Sequence, residues 1–330
     1  MGNVKVSLIL PVYNSERFLN KCLDSVIRQT LKNIEVLIVN DGSTDESPAI
    51  IKYYAEKYPF ITVINQENAG QALARNRALQ IAQGEYCAFV DSDDYMEEKM
   101  LEILYQAAVA SKADVVICNW KEVDEHGQCL MHNEHEEFHR KTLTKDEVIK
   151  EFLMNKKQLI EGFSWNKLIK RSIFADYQIQ YPRMKYEDIP TMFKVLMKAK
   201  SYFYVNDSLY YYVQHQGSTV HVRNKATAQG YLNAIKMIKE ILKEEDLLEE
   251  YSDAYTTYGN NCILREYGLS YDAIHNHSEL KRSYQDFLKV HSRFQKIKPK
   301  EYKLRIKMIL YKVGLLPIVF KYYWIYKKMV

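Results

Sequence analysis

The sequence predicts an α/β fold in which a doubly wound, mostly parallel sheet flanked by helices is followed by an all-helical C-terminal region. Three observations predict it. Between residues 4 and 120, short apolar runs alternate with amphipathic stretches through short connections. Several of those runs end in polar or acidic turns: Pro11-Val12-Tyr13-Asn14, Asp41-Gly42-Ser43-Thr44-Asp45 and Asp91-Ser92-Asp93-Asp94. From about residue 225 onward only helical spacing is found, with charges interleaved. The 330 residues suffice for one full α/β domain and a smaller appendage.

Residues 4–12 read as a buried strand, and Phe18, Leu19, Cys22, Leu23, Val26 and Ile27 then recur with helical period. A strand over 34–40 feeds the Asp41 turn, where Ser43-x-x-Glu46 has the form of a capping box opening the next helix. A strand over 60–65 leads to Asn68-Ala69-Gly70 and a helix over 70–82, which Gly84 stops. The strand 86–91 ends in the acidic cluster, a helix is expected over 95–111, and a fifth strand over 114–120. Residues 121–145 are polar, with a hairpin turn at Asp124-Glu125-His126-Gly127. The segment 163–174 looks helical, and 202–213 looks like a strand.

The net charge of +4 is unevenly spread. Residues 301–330 hold Lys303, Arg305, Lys307, Lys312, Lys321, Lys327 and Lys328 against Glu301 alone, a net +6, so the other 300 residues sum to −2. Positive charge confined to the tail argues for a local partner and against a nucleic-acid-coating protein. The cysteines at 22, 87, 118, 129 and 262 are scattered, odd in number and form no C-x-x-C pair, as expected of reduced thiols in a cytosolic protein. The first apolar run is too short for a signal peptide and ends at a turn.

In an open α/β sheet the carboxyl ends of neighbouring strands share one crevice. Asp91 and Asp93, one residue apart after a strand, can share a Mg2+ or Mn2+ ion that holds a diphosphate, although an acidic turn with a helix cap has the same composition. Asp41 can accept a hydrogen bond from a base edge. Asn68, Gly70 and Arg75 can approach a nucleotide or phosphate. Glu187-Asp188, just before Ile189-Pro190, can cap a helix or supply a general base, and the sequence leaves both open. His215 and His221 flank a polar segment after the 202–213 strand, where one can reach a phosphate or the metal. His126, His132, His135 and His139 lack zinc-ligand spacing and read as a solvated loop. The tail 302–328 mixes apolar and aromatic residues with lysines. No 18-residue stretch of it is free of charge, so a basic amphipathic helix on an anionic membrane is expected, with packing onto the body or a partner subunit as the alternative.

Taken together, Pro11-Val12-Tyr13-Asn14, Asp41-Gly42-Ser43-Thr44-Asp45, Asn68-Ala69-Gly70 with Ala74-Arg75, Asp91-Ser92-Asp93-Asp94 and Tyr186-Glu187-Asp188 resemble family 2 glycosyltransferases of the GT-A fold. The resemblance covers about residues 4–220. The stretch from Trp165-Asn166-Lys167-Leu168 to Tyr210-Tyr211-Tyr212 resembles the bacterial branch that builds capsules, exopolysaccharides and wall polymers. It implies a UDP-sugar donor held by Pro11, Tyr13, Asn14, Asp41, Asn68, Gly70, Arg75, Asp91, Ser92 and Asp93, with Asp41 on the uracil ring. It implies Mn2+ or Mg2+ on Asp91 and Asp93, which His215 could join from its place after the 202–213 strand, and Asp188 as the base in an inverting transfer. Asp94, Trp165, Lys167 and Glu187 would support the site or face the acceptor, a glycan or lipid-linked oligosaccharide. The expected layout is a nucleotide-sugar half (1–120), an acceptor half (121–224) and a helical region (225–330) ending in the basic tail, on a cytoplasmic protein peripheral to the inner membrane. A homo-oligomer is left open. The Q-x-x-R-W signature of processive synthases is absent, which argues for one sugar per encounter. Two rival readings are a nicotinamide-dependent oxidoreductase, disfavoured because no G-x-G-x-x-G follows the first strand, and a non-catalytic nucleotide-sugar-binding scaffold.

Overall fold

Seven consecutive buried residues make β1 (Val6–Val12) the spine of the sheet. The structure, a computed structural model, describes residues 3–132, 138–154, 159–215, 222–291 and 302–329, with side chains as far as Tyr322. After β1 come α1 (Glu16–Ile27), β2 (Ile34–Asp41), α2 (Ser47–Lys57), β3 (Ile61–Gln66), α3 (Gln71–Ile81) and β4 (Tyr86–Phe89). Then follow β5 (Tyr95–Met96), α4 (Met100–Ser111), β6 (Val115–Asp124), β7 (Cys129–His132), β8 (Lys141–Leu143) and α5 (Lys145–Met154). The sheet-bearing part closes with β9 (Lys167–Lys170), α6 (Arg171–Asp176), α7 (Asp188–Lys198) and β10 (Tyr202–Gln214).

The strand order is β3-β2-β1-β4-β9-β6-β10-β5, with β7 on β6 and β8 on β10. The four longest ladders, β1 with β2 and β4, β2 with β3, and β6 with β10, are parallel. The antiparallel pairings are short. Because β2 leaves β1 on one side and β4 lies on the other, the carboxyl ends of β1 and β4 form the switch point at which such sheets open a crevice. Val6, Leu8 and Leu10 of β1 pack with Leu19, Cys22, Leu23 and Val26 of α1 in one core. The hairpin turn at 124–127 forms as expected, with the Gly127 N–H on the Asp124 carbonyl (3.0 Å).

Three local expectations are corrected. The segment 163–174 is not one helix: β9 inserts antiparallel between β4 and β6 and only then does α6 begin. Leu168 and Ile169 are both fully buried, so the run is a two-sided central strand, which apolar pattern alone confuses with a helix. The helix expected from residue 95 starts at Met100, because Tyr95 and Met96 pair with β10 and the Tyr95 ring stacks on Tyr211 at 4.5 Å. The Ser43–Glu46 capping box does not form. Ser43 Oγ accepts the Asn14 N–H, Asp45 Oδ1 accepts the Ser47 N–H, and α2 starts one residue after Glu46.

By compactness the chain divides into two units: Met1–Phe152, Lys157–Arg183 and Glu187–Gln216 form the first, and Leu153–Lys156, Met184–Tyr186 and Gly217–Val330 the second. The second unit is helical: α8 (Lys225–Glu244), α9 (Ser252–Leu269), α10 (Tyr271–His275), α11 (Ser278–His291), α12 (Tyr302–Lys312) and α13 (Leu316–Met329). Asn224 caps α8 through a reciprocal box with Thr227. Both α12 and α13 pack on α9. There Gly268 lies so close to Phe320 that a Cβ would meet the ring at 2.3 Å.

Candidate active site

At the ends of β1 and β2 the two polar turns interlock. The Asn14 side chain accepts the Thr44 N–H (2.8 Å), and the Asn14 N–H donates to Ser43 Oγ. Pro11 pairs with Val39, and Tyr13 is half exposed. Asp41 is 3% exposed and both its oxygens are engaged: Oδ1 accepts from Gln66 Nε2 (2.7 Å) and the Ala69 N–H (2.8 Å), Oδ2 from the Gly70 N–H (2.9 Å). Its carboxylate therefore holds the Asn68–Gly70 loop in place and keeps little spare accepting capacity. Gly42 has φ +72 and lies against the backbone of Asn68, where a Cβ would sit 2.7 Å from the amide nitrogen. A side chain there would force the two motifs apart.

At the end of β4, Arg75 of α3 is the organising group. Its buried guanidinium donates through Nη2 to Asp91 Oδ1 and through Nη1 to Glu187 Oε1, both at 2.7 Å. Its Nε has no partner among the described residues. Burial alone would weaken its positive charge, but Asp91 and Glu187 more than offset this and raise its pKa. Gln71 Nε2 also donates to Asp91 Oδ1 (3.2 Å). The Asp91 carboxyl is raised from its usual range, by burial first and by Asp93 as well, against the pull of Arg75. Ser92 Oγ pairs with Ser15 Oγ at 2.6 Å. Asp93 stays a third exposed and meets His215 Nε2 at 2.9 Å, while the imidazole rests on the Phe18 ring. Asp94 is buried: its Oδ2 takes the Tyr210 hydroxyl (2.7 Å) and its Oδ1 the Val213 N–H (2.8 Å), and burial raises its carboxyl pKa strongly.

The third acidic motif opens α7. Glu187 occupies the position before the helix but does not cap it, because its side chain is committed to Arg75. Asp188 is half-buried, and among the described residues its carboxylate takes one hydrogen bond, from the Ile189 N–H (3.0 Å). Burial, then the negative charge of Glu187, push its carboxyl pKa up to about 7, with Arg75 opposing.

The crevice thus gathers Arg75, Asp91, Asp93, Glu187 and His215, with Asp94 beneath. Trp165 and Lys167 are placed differently. Trp165 lies in a buried aromatic stack, 4.3 Å from the Tyr210 ring and 4.6 Å from Phe163. Fully buried Lys167 donates to the carbonyls of Glu161 and Phe163 and to Asn166 Oδ1, and burial lowers its ammonium to about 7. Sequence reasoning missed Gln66, Gln71 and Tyr210. Gln66 ends β3 in register with Asp41, Gln71 follows Gly70 at the first position of α3, and the Tyr210 hydroxyl also receives the Asp91 N–H (3.1 Å). A rule that reads every strand-end and helix-start position for polar side chains would have found the first two. His135, His221 with the rest of 216–221, and the side chains of Trp324, Lys327 and Lys328 lie outside the described residues. Among the described residues, no group of three or more His, Cys, Asp or Glu side chains is arranged to hold a metal ion unaided.

Comparison with known proteins gives this geometry a family. Residues 7–178, more than half of the chain, match the family described as Glycosyl transferase family 2. A Bacillus subtilis (strain 168) protein named as a glycosyltransferase, EpsH, is 34% identical over 279 residues, covering 82% of this chain and 79% of its own. The crystal structure of S. aureus TarS residues 1–349 in complex with UDP-GlcNAc superposes with a TM-score of 0.67 at 22% identity, over 96% of this chain and 89% of that one. The mannosyltransferase PcManGT of Pyrobaculum calidifontis, in complex with GDP-Man and Mn2+, gives 0.51 at 16% identity, over 96% and 88%. The doubly wound sheet, the acidic clusters at its switch point and the match over more than half the chain lead to one assignment: the protein belongs to glycosyltransferase family 2 and has a GT-A-type fold.

Proposed function

We propose that the chain transfers one hexosyl or N-acetylhexosaminyl unit from a UDP-sugar to a hydroxyl of a lipid-linked glycan, with inversion, in the synthesis of a bacterial surface polysaccharide or wall polymer. The observation that carries this reading is the Arg75 clasp. One buried guanidinium binds both the β4 acid that would face the diphosphate and the neighbour of the acid that would serve as base. On this reading the clasp would hold donor site and base within one side chain's reach of each other, as a direct displacement requires. Asp188, with a pKa near neutrality, is suited to accept the acceptor's hydroxyl proton as that oxygen attacks the anomeric carbon and the bond to the diphosphate breaks. Asp41 holds the Asn68–Gly70 loop against which the nucleoside would lie.

Mg2+ or Mn2+ fits the donor set. Among the described residues the hydrogen bonds to the Asp91 carboxylate fall on Oδ1, and Asp93 is a third exposed beside His215. A hard cation bound with substrate phosphates takes only one or two carboxylates from the protein. Asp93 and Asp91 would hold it beside His215, and when bound it would neutralise charge gathering on the departing diphosphate. The Mn2+ and GDP-Man in PcManGT and the UDP-GlcNAc in TarS support this choice of ligands. Calorimetry of unfolding tests it: UDP should raise the Tm with Mg2+ or Mn2+ present and fail to do so in excess EDTA. Equal stabilisation in EDTA would remove the metal from the proposal. UDP release from a UDP-sugar panel then separates an enzyme from a non-catalytic binder.

A further inference from the structure

The second unit carries a surface that the proposed transfer does not use. On α12 the spacing of Tyr302, Ile306 and Ile309, continued by Val313, puts four large apolar side chains on one stripe, each between 51% and 60% exposed. The opposite face of the helix, Leu304 and Met308, is buried where α12 packs on α9. The pattern repeats on α13: Leu316 is buried, while Ile318, Val319 and Tyr322, with Leu315 just before the helix, are 44% to 69% exposed. Over its described side chains, each helix therefore has apolar residues spent on the fold and a second apolar set turned outward. That is the reverse of an ordinary surface helix, whose outward face is polar.

Charge identifies what such a face fits. Helical spacing places Arg305 and Lys312 on one flank of the α12 stripe and Lys303 on the other, all three exposed. Residues 302–329 contain no Asp or Glu. A face for a second copy of a protein would need matching acids, and α12 and α13 supply none to pair with their own lysines. Among the described residues no helix is long and apolar enough to cross a membrane. An apolar stripe with tyrosines at its ends, flanked only by bases, has the composition of helices that lie in the interfacial layer of an anionic bilayer.

We infer that the α12–α13 hairpin is a membrane-docking element that inserts Tyr302, Ile306, Ile309, Val313, Ile318 and Tyr322 into the surface of an anionic lipid bilayer. The inference stands apart from the proposed chemistry: it would hold for any activity of the first unit. Its test is co-sedimentation of the full chain with phosphatidylcholine vesicles containing or lacking about one third phosphatidylglycerol, at low and high salt. Binding is expected to the anionic vesicles, weakened by salt as counter-ions screen the bases. The double variant Ile306→Glu/Ile309→Glu changes two side chains already in solvent, so its circular dichroism and Tm should match the wild type while vesicle binding falls at least tenfold. Lys303→Gln should lower binding to anionic vesicles and lessen its salt dependence. UDP-dependent stabilisation should be unchanged in both, so a failure of the donor assignment is read separately. A full chain that stays in the supernatant with anionic vesicles at low salt overturns the inference, as does a glutamate variant that sediments like the wild type. So does a concentration-dependent mass in sedimentation velocity that the glutamate variant abolishes while vesicles are ignored, since the face would then join two copies of the chain.

Discussion

The turn after β4 and the start of α7 each carry two adjacent acids, and the two pairs divide their labour in the same way. In Asp93-Asp94 the second member is locked, its oxygens taken by Tyr210 and Val213, and the first is left a third exposed beside His215. In Glu187-Asp188 the order is reversed: Glu187 is locked on Arg75, and Asp188 keeps accepting capacity unused among the described residues. An acid whose oxygens are satisfied by the chain is part of the scaffold. One with an open lone pair in a partly buried setting is available to a proton or a cation. In both pairs the scaffolding member also places its neighbour.

The largest effect should come from an open member. Asp188→Asn is expected to lower kcat by about 10²–10⁴-fold while leaving UDP affinity intact, the usual loss when a general base is removed. If Asp188 is the base, the acid limb of the wild-type kcat profile should fall near pH 7, because the raised pKa protonates this carboxylate below that point. Stability should move oppositely. The folded state binds this proton more tightly than the unfolded chain, so this group's contribution grows as pH falls from about 7 towards 4. A near-wild-type turnover for Asp188→Asn would make both members of that pair scaffold.

Next comes the clasp shared by the two motifs. Arg75→Met leaves half-buried Asp91 and buried Glu187 without their cation and should cost about 3–5 kcal/mol in urea unfolding, the range for breaking a buried ion pair from one side. A loss below about 1 kcal/mol would mean that the two acidic motifs do not depend on each other. The β4 pair gives the smallest and sharpest contrast. Asp94→Asn should cost about 1–3 kcal/mol of stability, as a buried acceptor loses strength. Asp93→Asn should barely change urea stability but raise the Mn2+ concentration needed for UDP binding at least tenfold. Equal stability losses in the two variants would break the division between locked and open acids.

Much of this was legible in the sequence, and the limits have physical causes. The alternating elements and the acidic strand ends followed from apolar period and turn chemistry, which are local. β9 was missed because a strand buried on both faces has no polar side to mark its period, so Leu168-Ile169 reads like a helix segment. The acidic pairs were visible as pairs, but which member stays open depends on Tyr210 and Val213, more than 100 positions away. Arg75 was expected to approach a nucleotide or phosphate, and the structure also pairs it with Asp91 and Glu187. Its ion partners are set by the folding of α3 against the start of α7, which no local pattern records.

The insertion of β9 has a consequence for how the protein emerges from the ribosome. β4 pairs through Tyr86 with Lys170, and β6 through Val115 with Ile169, so the two strands made first must wait for a segment made later to lie between them. Until then β4 exposes an open edge, a template for unwanted pairing with other nascent chains. Asp94 waits longer still, since both its partners are on β10. The acidic crevice therefore cannot be finished until residue 213 has left the exit tunnel. Translation speed between residues 90 and 213, together with any holding chaperone, sets how long an unfinished sheet edge is exposed in the cell.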